Sequence, residues 1–171
     1  MTRAIELAGS LNDAAGVRAV AVGRSDDYLV AATRLADRAA LEPFAASAPH
    51  MEFVMRGVAP VTVRMWSAAV ETEAPEDPAI AEAGTLWGFA LPARDGVYDW
   101  QVRQLLEDVE ALPGSAVVGL TVEEREHFRA AGVVLLSPDQ VAPFEDALAA
   151  ARARWADIAG GLEEVLVPML R

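Results

Sequence analysis

The residues best suited to chemistry lie in TVEEREHFRAAG, residues 121–132, where three carboxylates and a histidine occupy five positions. Glu124 and His127 are three residues apart, and Glu123 and His127 are four apart, so a helix would place them on one face. Such a face could hold a metal ion, since E-x-x-H is one half of a carboxylate di-iron pattern, or act as an acid–base pair. The second E-x-x-H that a di-iron site needs is absent, because no glutamate stands three residues before His50.

A structural role also accounts for this segment. Thr121 is a good N-cap and Glu124, three residues later, completes a capping box, while Glu123 and Glu124 favour the positive end of the helix dipole. Phe128 would pack inward, and Gly132 would end the helix. The segment therefore predicts a surface helix between two strands, and we expect no catalytic residue and no metal ligand in it.

The amino-acid composition excludes most classes of enzymatic reaction. All fourteen basic residues are arginine, there is no cysteine, and there are two histidines, His50 and His127. Without lysine there is no Walker-type phosphate loop and no Schiff base, and without cysteine there is no thiol nucleophile and no thiolate metal site. Carboxylate chemistry, oxygen-ligand metal sites and binding functions remain, and we expect no cofactor.

The segment WGFALPARDGVYDW, residues 87–100, is the best candidate for a binding site. It joins a predicted strand to a predicted helix, where ligands tend to bind in α/β folds, and it combines aromatic residues with an arginine, as protein interfaces do. Three interpretations remain open: a plain turn with the aromatic rings in the core, a protein interface, or a small-molecule pocket. The candidate binding residues are Trp87, Arg94, Asp95, Tyr98 and Trp100.

Hydrophobic periodicity predicts the elements that would position these residues. A helix is predicted at 98–112 from apolar residues spaced by four and three, and continuous apolar runs predict strands at 85–91, 116–120 and 132–136. The order strand–helix–strand around residues 121–132 favours a small parallel unit. Nearer the N-terminus we predict helices at 3–15 and 35–46, a strand at 17–23, and a hairpin formed by 51–57 and 60–70. Residues 28–34 are ambiguous: we favour a strand, but they could instead begin a helix that is capped by Ser25 and runs on through LADRAALEPF.

The C-terminal third carries a heptad-like seam, which predicts a long helix over 144–168 with a kink or break at Gly160-Gly161. The seam can pack on the sheet of the same chain or bind a partner helix. The candidate interface residues are Phe144, Leu148, Trp155, Ile158 and Leu162.

Together these patterns predict an α+β (mixed α/β) fold, with one mixed sheet of about five or six strands, amphipathic helices packed on it and a long C-terminal helix. We expect one domain over residues 1–171, with a possible internal linker at 71–78, in a soluble cytoplasmic protein. Arginine in place of lysine, with abundant alanine, indicates a bacterial genome. The net charge of −12 argues against nucleic acid or a membrane as partner.

The function that this sequence favours is a non-enzymatic protein-interaction module, such as a small acidic bacterial regulator, adaptor, chaperone or immunity-like protein. Its expected partner is another protein or a second copy of the chain, which would form a dimer. The alternative is a small-molecule-binding domain, or a carboxylate- and histidine-dependent enzyme, with a pocket around 87–100.

Overall fold

The computed structural model describes residues 2–62, 67–72, 80, 82–122, 127–158 and 160–170. These residues form two compact units. The first contains the described residues up to Gly23, those of Leu29–Ser67, and Leu170; the second contains Arg24–Tyr28 and the described residues of Ala68–Met169. In the part of the chain described, no helix has the length and apolar character needed to cross a bilayer.

The first unit begins with the predicted helix and two predicted strands. Gly16, at φ 83°, takes the left-handed conformation that the sequence predicts after the helix. The ambiguous segment 28–34 is a strand, paired with the strand before it in a two-stranded sheet. The elements are α1 (Thr2–Gly9), a 3-10 turn (Ser10–Asp13), β1 (Val17–Arg24), β2 (Leu29–Leu35), a 3-10 turn (Arg38–Ala40), α2 (Leu41–Ala45) and α3 (Ala48–Glu52).

The predicted hairpin strand at 51–57 is wrong, because α3 continues directly into a π-helix, Phe53–Val58. The hydroxyl oxygen of Ser47 caps α3 by accepting a hydrogen bond from the backbone N–H of His50, at 3.4 Å. Gly57 lets the π-helix lie against α1, since a Cβ there would be 3.1 Å from a backbone carbon of that helix. Helix packing thus overrides the β propensity of this segment. Of the second predicted hairpin strand, 60–70, residues 63–66 lie outside the described residues.

The second unit is built on a five-stranded sheet of order β3-β5-β6-β4-β7. All four strand pairings in this sheet are antiparallel. The strands are β3 (Val70–Glu71), β4 (Thr85–Pro92), β5 (Ser115–Thr121), β6 (Phe128–Leu136) and β7 (Glu163–Pro168), with α4 (Asp99–Glu110) between β4 and β5 and α5 (Val141–Arg154) between β6 and β7.

From β4 onwards the element order is β-α-β-β-α-β, and the four longer strands lie in the order β5-β6-β4-β7. This arrangement is the ferredoxin-like fold, in which each helix connects two strands that are separated by one antiparallel neighbour. The predicted α+β class is confirmed, and the main sheet has five strands, within the predicted five or six. Its pairings are all antiparallel, whereas a mixed sheet was predicted, and two further strands form the separate sheet of the first unit.

Both helices pack on one face of this sheet. The predicted apolar stripe of α4 is buried there against β4, and the other face of β4 is buried too, which explains its almost unbroken apolar sequence. The main buried residues at the helical face are Trp87, Phe89, Leu91, Val102, Leu105, Val109, Phe144 and Leu148.

The predicted helix within residues 121–132 and the parallel unit around it are wrong. Thr121 ends β5, and its hydroxyl donates a hydrogen bond to the backbone oxygen of Phe128, 2.8 Å away, at the start of β6. Residues 130–135 pair in antiparallel register with both β4 and β5. This long-range pairing outweighs a local capping signal, which contributes only about 1 kcal/mol. Glu123, Glu124 and Glu126 lie outside the described residues.

The predicted long helix over 144–168 is also wrong in its second half. Helix α5 ends at Arg154, and Glu163–Pro168 forms the edge strand β7. Gly161, at φ 106°, has a backbone conformation that a helix cannot accommodate, so the double glycine belongs to the turn between the two elements.

The expected single domain and the linker at 71–78 stay predictions, and residues 73–79 lie outside the described residues.

Candidate functional site

One end of the second unit's sheet carries the loops that hold most of the predicted site residues. β4 and β6 are paired there through Pro92 and Phe128, β5 ends nearby at Thr121, and β7 begins at Glu163. Because neighbouring strands run in opposite directions, the loop at 93–98 and the connection from α5 to β7 leave the sheet at this same end.

Hydrogen bonds to β6 and the residue before it hold the loop at 93–98 in place. The backbone N–H of Ala93 donates to the backbone oxygen of His127 at 2.8 Å. The half-buried guanidinium of Arg129, in β6, donates to the backbone oxygen of Val97 and forms an ion pair with Asp99. The loop is therefore fixed at its beginning and at its end.

The fixed loop presents two aromatic rings to solvent. Tyr98 is 65% exposed and Trp100 is 67% exposed. The side-chain oxygen of Gln101 accepts a hydrogen bond from the backbone N–H of Tyr98 at 2.9 Å, which closes the start of α4. Arg103 is also exposed, one helical turn after Trp100. We use the name aromatic surface for the exposed residues Arg94, Asp95, Tyr98, Trp100 and Arg103.

Trp87 is separate from the aromatic surface. It is 1% exposed in β4, stacks on Phe89 with ring centroids 4.9 Å apart, and belongs to the core. Its indole nitrogen donates to a carboxylate oxygen of Glu164 at 3.1 Å, and the other oxygen of Glu164 lies 2.8 Å from the guanidinium of Arg152. The carboxylate thus satisfies a buried donor and neutralises an arginine.

Most of the candidate interface residues lie inside the second unit. Phe144, Leu148 and Trp155 are buried in its core, and Ile158 and Leu162 pack half-buried against it. The seam therefore packs on the sheet of its own chain, the alternative left open by the sequence, and the three buried residues leave little surface for a partner.

A small cavity lies beside the aromatic surface, where α5 turns into β7. Its volume is about 240 Å³, and it is lined by Arg152, Ala156, Gly160, Gly161, Leu162 and Glu164. The guanidinium of Arg94 reaches this turn from the loop at 93–98, and a side chain at position 160 would overlap it. The structure thus places Arg94 next to residues that are distant in sequence.

The two histidines belong to different units, His50 to the first and His127 to the second. The ring nitrogen Nδ1 of His50 is 2.9 Å from the backbone oxygen of Ala45, and the ring lies against Phe44, so a backbone partner satisfies it. His127 is exposed beside the loop at 93–98. Among the residues described, no three acidic, histidine or cysteine side chains are grouped as metal ligands.

No protein-family model and no curated protein matches the chain. A solved structure, a dimeric ferredoxin-like protein of unknown function from Thermobifida fusca, is similar at 16% sequence identity and a TM-score of 0.40, over 60% of this chain and 99% of that chain.

Sequence reasoning missed Arg129, Glu164 and Gly160 as parts of this region. Arg129 lies within the segment predicted to be a helix, and Glu164 and Gly160 lie in the half of the predicted C-terminal helix that does not form. A usable signal was the apolar run Val165–Val167, which has the composition of a strand and begins four residues after the double glycine.

Proposed function

We propose that this chain is a non-enzymatic protein-interaction module, of the regulator, adaptor, chaperone or immunity-like kind, that binds a protein partner through the aromatic surface. The observation that carries the proposal is the pair of exposed rings, Tyr98 and Trp100, on a backbone held by hydrogen bonds. Because the backbone that carries the rings is already held in place, binding has little backbone to order, and more of the free energy of burying the rings contributes to affinity.

The rings are large enough to act as anchors. At about two thirds exposure, each would remove roughly 100–150 Å² from water in a close contact, worth about 3 kcal/mol before the costs of association. Trp, Tyr and Arg are the residue types that dominate measured interfaces. The aromatic surface contains all three.

The charges of the aromatic surface favour a partner that carries carboxylates. Arg94 and Arg103 have no hydrogen-bond or ion-pair partner among the described residues, whereas Arg129, Arg152 and Arg154 are each paired with an acid. A partner with an apolar pocket rimmed by acidic residues would accept a ring and pair with a guanidinium.

The test compares Trp100→Ala and Tyr98→Ala with Tyr28→Ala, a matched control because Tyr28 is 56% exposed at a turn in another part of the chain. Light scattering of each purified chain over a range of concentrations measures self-association. Affinity capture from the native host with the same variants identifies a separate partner, and titration calorimetry with that purified partner measures the affinity.

The expected result is one complex, either a dimer or a hetero-complex, that Tyr28→Ala retains and that Trp100→Ala weakens by roughly 30-fold, the factor that about 2 kcal/mol represents. A complex that forms equally well with both aromatic-surface variants would show that the contact lies elsewhere. A purified chain that stays monomeric, captures no partner and turns over a metabolite would refute the proposed function itself.

A further inference from the structure

We propose that the cavity between α5 and β7 binds a small carboxylate anion, with Arg94 as the cation that receives it. This inference shares Arg94 with the aromatic surface, but it does not use the exposed rings of Tyr98 and Trp100 that carry the proposed protein contact. It starts from the cavity of about 240 Å³, a volume suited to a ligand of a few heavy atoms.

The two charged residues of the cavity lining are paired with each other, which leaves Arg94, among the described residues, as an unpaired cation nearby. Arg152 and Glu164, both in the lining, form an ion pair at 2.8 Å and cancel each other's charge. The Arg94 guanidinium lies against Gly160, a residue of the lining, and no described residue accepts a hydrogen bond from it. The charges of Arg152, Glu164 and Arg94 therefore sum to one positive charge, in a chain whose net charge is −12.

The residues already present leave Arg94 as the group available to a ligand. The two oxygens of Glu164 are occupied, one by the indole N–H of Trp87 at 3.1 Å and the other by Arg152. A guanidinium binds a carboxylate through two parallel hydrogen bonds, which selects this anion by shape as well as by charge. Half-buried Leu162 offers the remainder of a small ligand an apolar contact.

The absence of a side chain at Gly160 leaves room for the Arg94 guanidinium beside the cavity. Any side chain at that position would overlap the Arg94 guanidinium and displace it from the rim. The absence of a side chain at Gly161, where a Cβ would meet no atom within 4 Å, leaves the adjoining part of the rim uncovered.

The structure contains its own reporter for ligand binding. The indole N–H of Trp87 donates to Glu164, so a ligand that changes the environment of this carboxylate should shift the Trp87 indole signal in a proton–nitrogen NMR spectrum. The indole of Trp155 serves as the internal control, because it donates to Asp108, outside the cavity lining, at 2.9 Å.

The experiment titrates the full ¹⁵N-labelled chain with sodium propionate and, separately, with propionamide, its neutral isostere. Propionate is expected to shift the Trp87 signal in a saturable way and to leave Trp155 unchanged, and propionamide is expected to shift neither. Arg94→Ala should weaken propionate binding at least about tenfold, a loss of about 1.4 kcal/mol. Arg103→Ala should bind propionate like the unmodified chain, because Arg103 is exposed and, unlike Arg94, does not lie against Gly160 of the cavity lining.

Three results would overturn the inference: no saturable shift of Trp87, equal shifts with propionamide, or unchanged propionate binding by Arg94→Ala. An unshifted Trp155 signal in the free Arg94→Ala chain verifies that this variant keeps its fold. Failure here leaves the protein-contact proposal intact, since Tyr98 and Trp100 are absent from the cavity lining.

Discussion

Asp108 is predicted to stabilise the second unit mainly through a tryptophan and only slightly through an ion pair. One of its carboxylate oxygens accepts a hydrogen bond from the indole nitrogen of Trp155 at 2.9 Å and lies 3.3 Å from the guanidinium of Arg154. Trp155 is 2% exposed, whereas the side chain of Arg154 is 58% exposed. Asp108→Ala would therefore leave a buried N–H without an acceptor.

The two contributions differ in size. A buried donor that loses its partner costs about 1–3 kcal/mol, with the upper part of that range for a charged acceptor. An ion pair with an exposed arginine contributes roughly 0–1 kcal/mol because solvent screens it. We expect Asp108→Ala to cost about 2–3 kcal/mol of unfolding free energy and Arg154→Ala less than about 1 kcal/mol, with Asp108→Asn in between because an amide oxygen can still accept the bond.

Urea unfolding followed by tryptophan fluorescence measures these costs. With a slope of about 1–3 kcal/mol per molar urea, the Asp108→Ala midpoint should fall by about 1 M. The indole proton signal of Trp155 should move in Asp108→Ala and stay nearly unchanged in Arg154→Ala. Equal costs for Asp108→Ala and Arg154→Ala would contradict the reasoning, because they would make the exposed ion pair the dominant contribution.

Four further substitutions test other parts of the structure. Gly114→Ala should destabilise the chain by more than about 1 kcal/mol in urea unfolding, because φ is 119° and a Cβ would come within 2.7 Å of two strand side chains. Gly9→Ala should instead stabilise it by about 0.5–1 kcal/mol, because Gly9 is helical and has open space around it. Phe144→Ala should cost about 3–5 kcal/mol in the same assay, as for a fully buried ring, and a cost below about 1 kcal/mol would contradict its place in the core. The hydroxyl of Ser137 donates to Asp139 and holds the pKa of that carboxyl below its ordinary value, so this contact stabilises the fold above the unfolded-state pKa and is lost as pH falls through the folded-state pKa. Ser137→Ala should raise the Asp139 pKa in a carbon-detected NMR titration, and an unchanged pKa would show that another group lowers it.

The elements that sequence predicted well are those whose local pattern and tertiary environment agree. The helix predicted at 98–112 forms as Asp99–Glu110, because its apolar stripe is the face buried on the sheet. The strand predicted at 85–91 forms as Thr85–Pro92, because both of its faces are buried and its apolar run is continuous. In both cases the periodicity directly reflects burial.

The predictions that were wrong concern segments in which a local helix signal competes with strand pairing. The capping signals at Thr121 describe an isolated helix correctly, but Phe128–Leu136 gains two strand neighbours and a buried position in the sheet instead. The seam keeps a spacing of four and three beyond Trp155, but the helix has already ended at Arg154, and the double glycine and the β-branched Val165 and Val167 lie in the turn and the strand that follow. Neither β6 nor β7 can be predicted from a short segment of sequence, since the strands that pair with them lie far away in the chain.

The candidate site also depends on long-range strand pairing, which the sequence alone did not predict. For residues 87–100, the sequence indicated a region that combines aromatic rings with an arginine, but it did not distinguish Trp87 from Trp100. Trp87 lies on a strand and its side chain is in the core, whereas Trp100 lies on the outer face of a helix. Sheet order decides the rest: β7 lies beside β4, so the turn before β7 meets the loop after β4, and Gly160 comes to lie against Arg94. A ferredoxin-like order of strands is thus what creates a cavity next to the aromatic surface, and a change that weakens the β4–β7 pairing should disturb that cavity before it disturbs α4 or the rings that α4 presents.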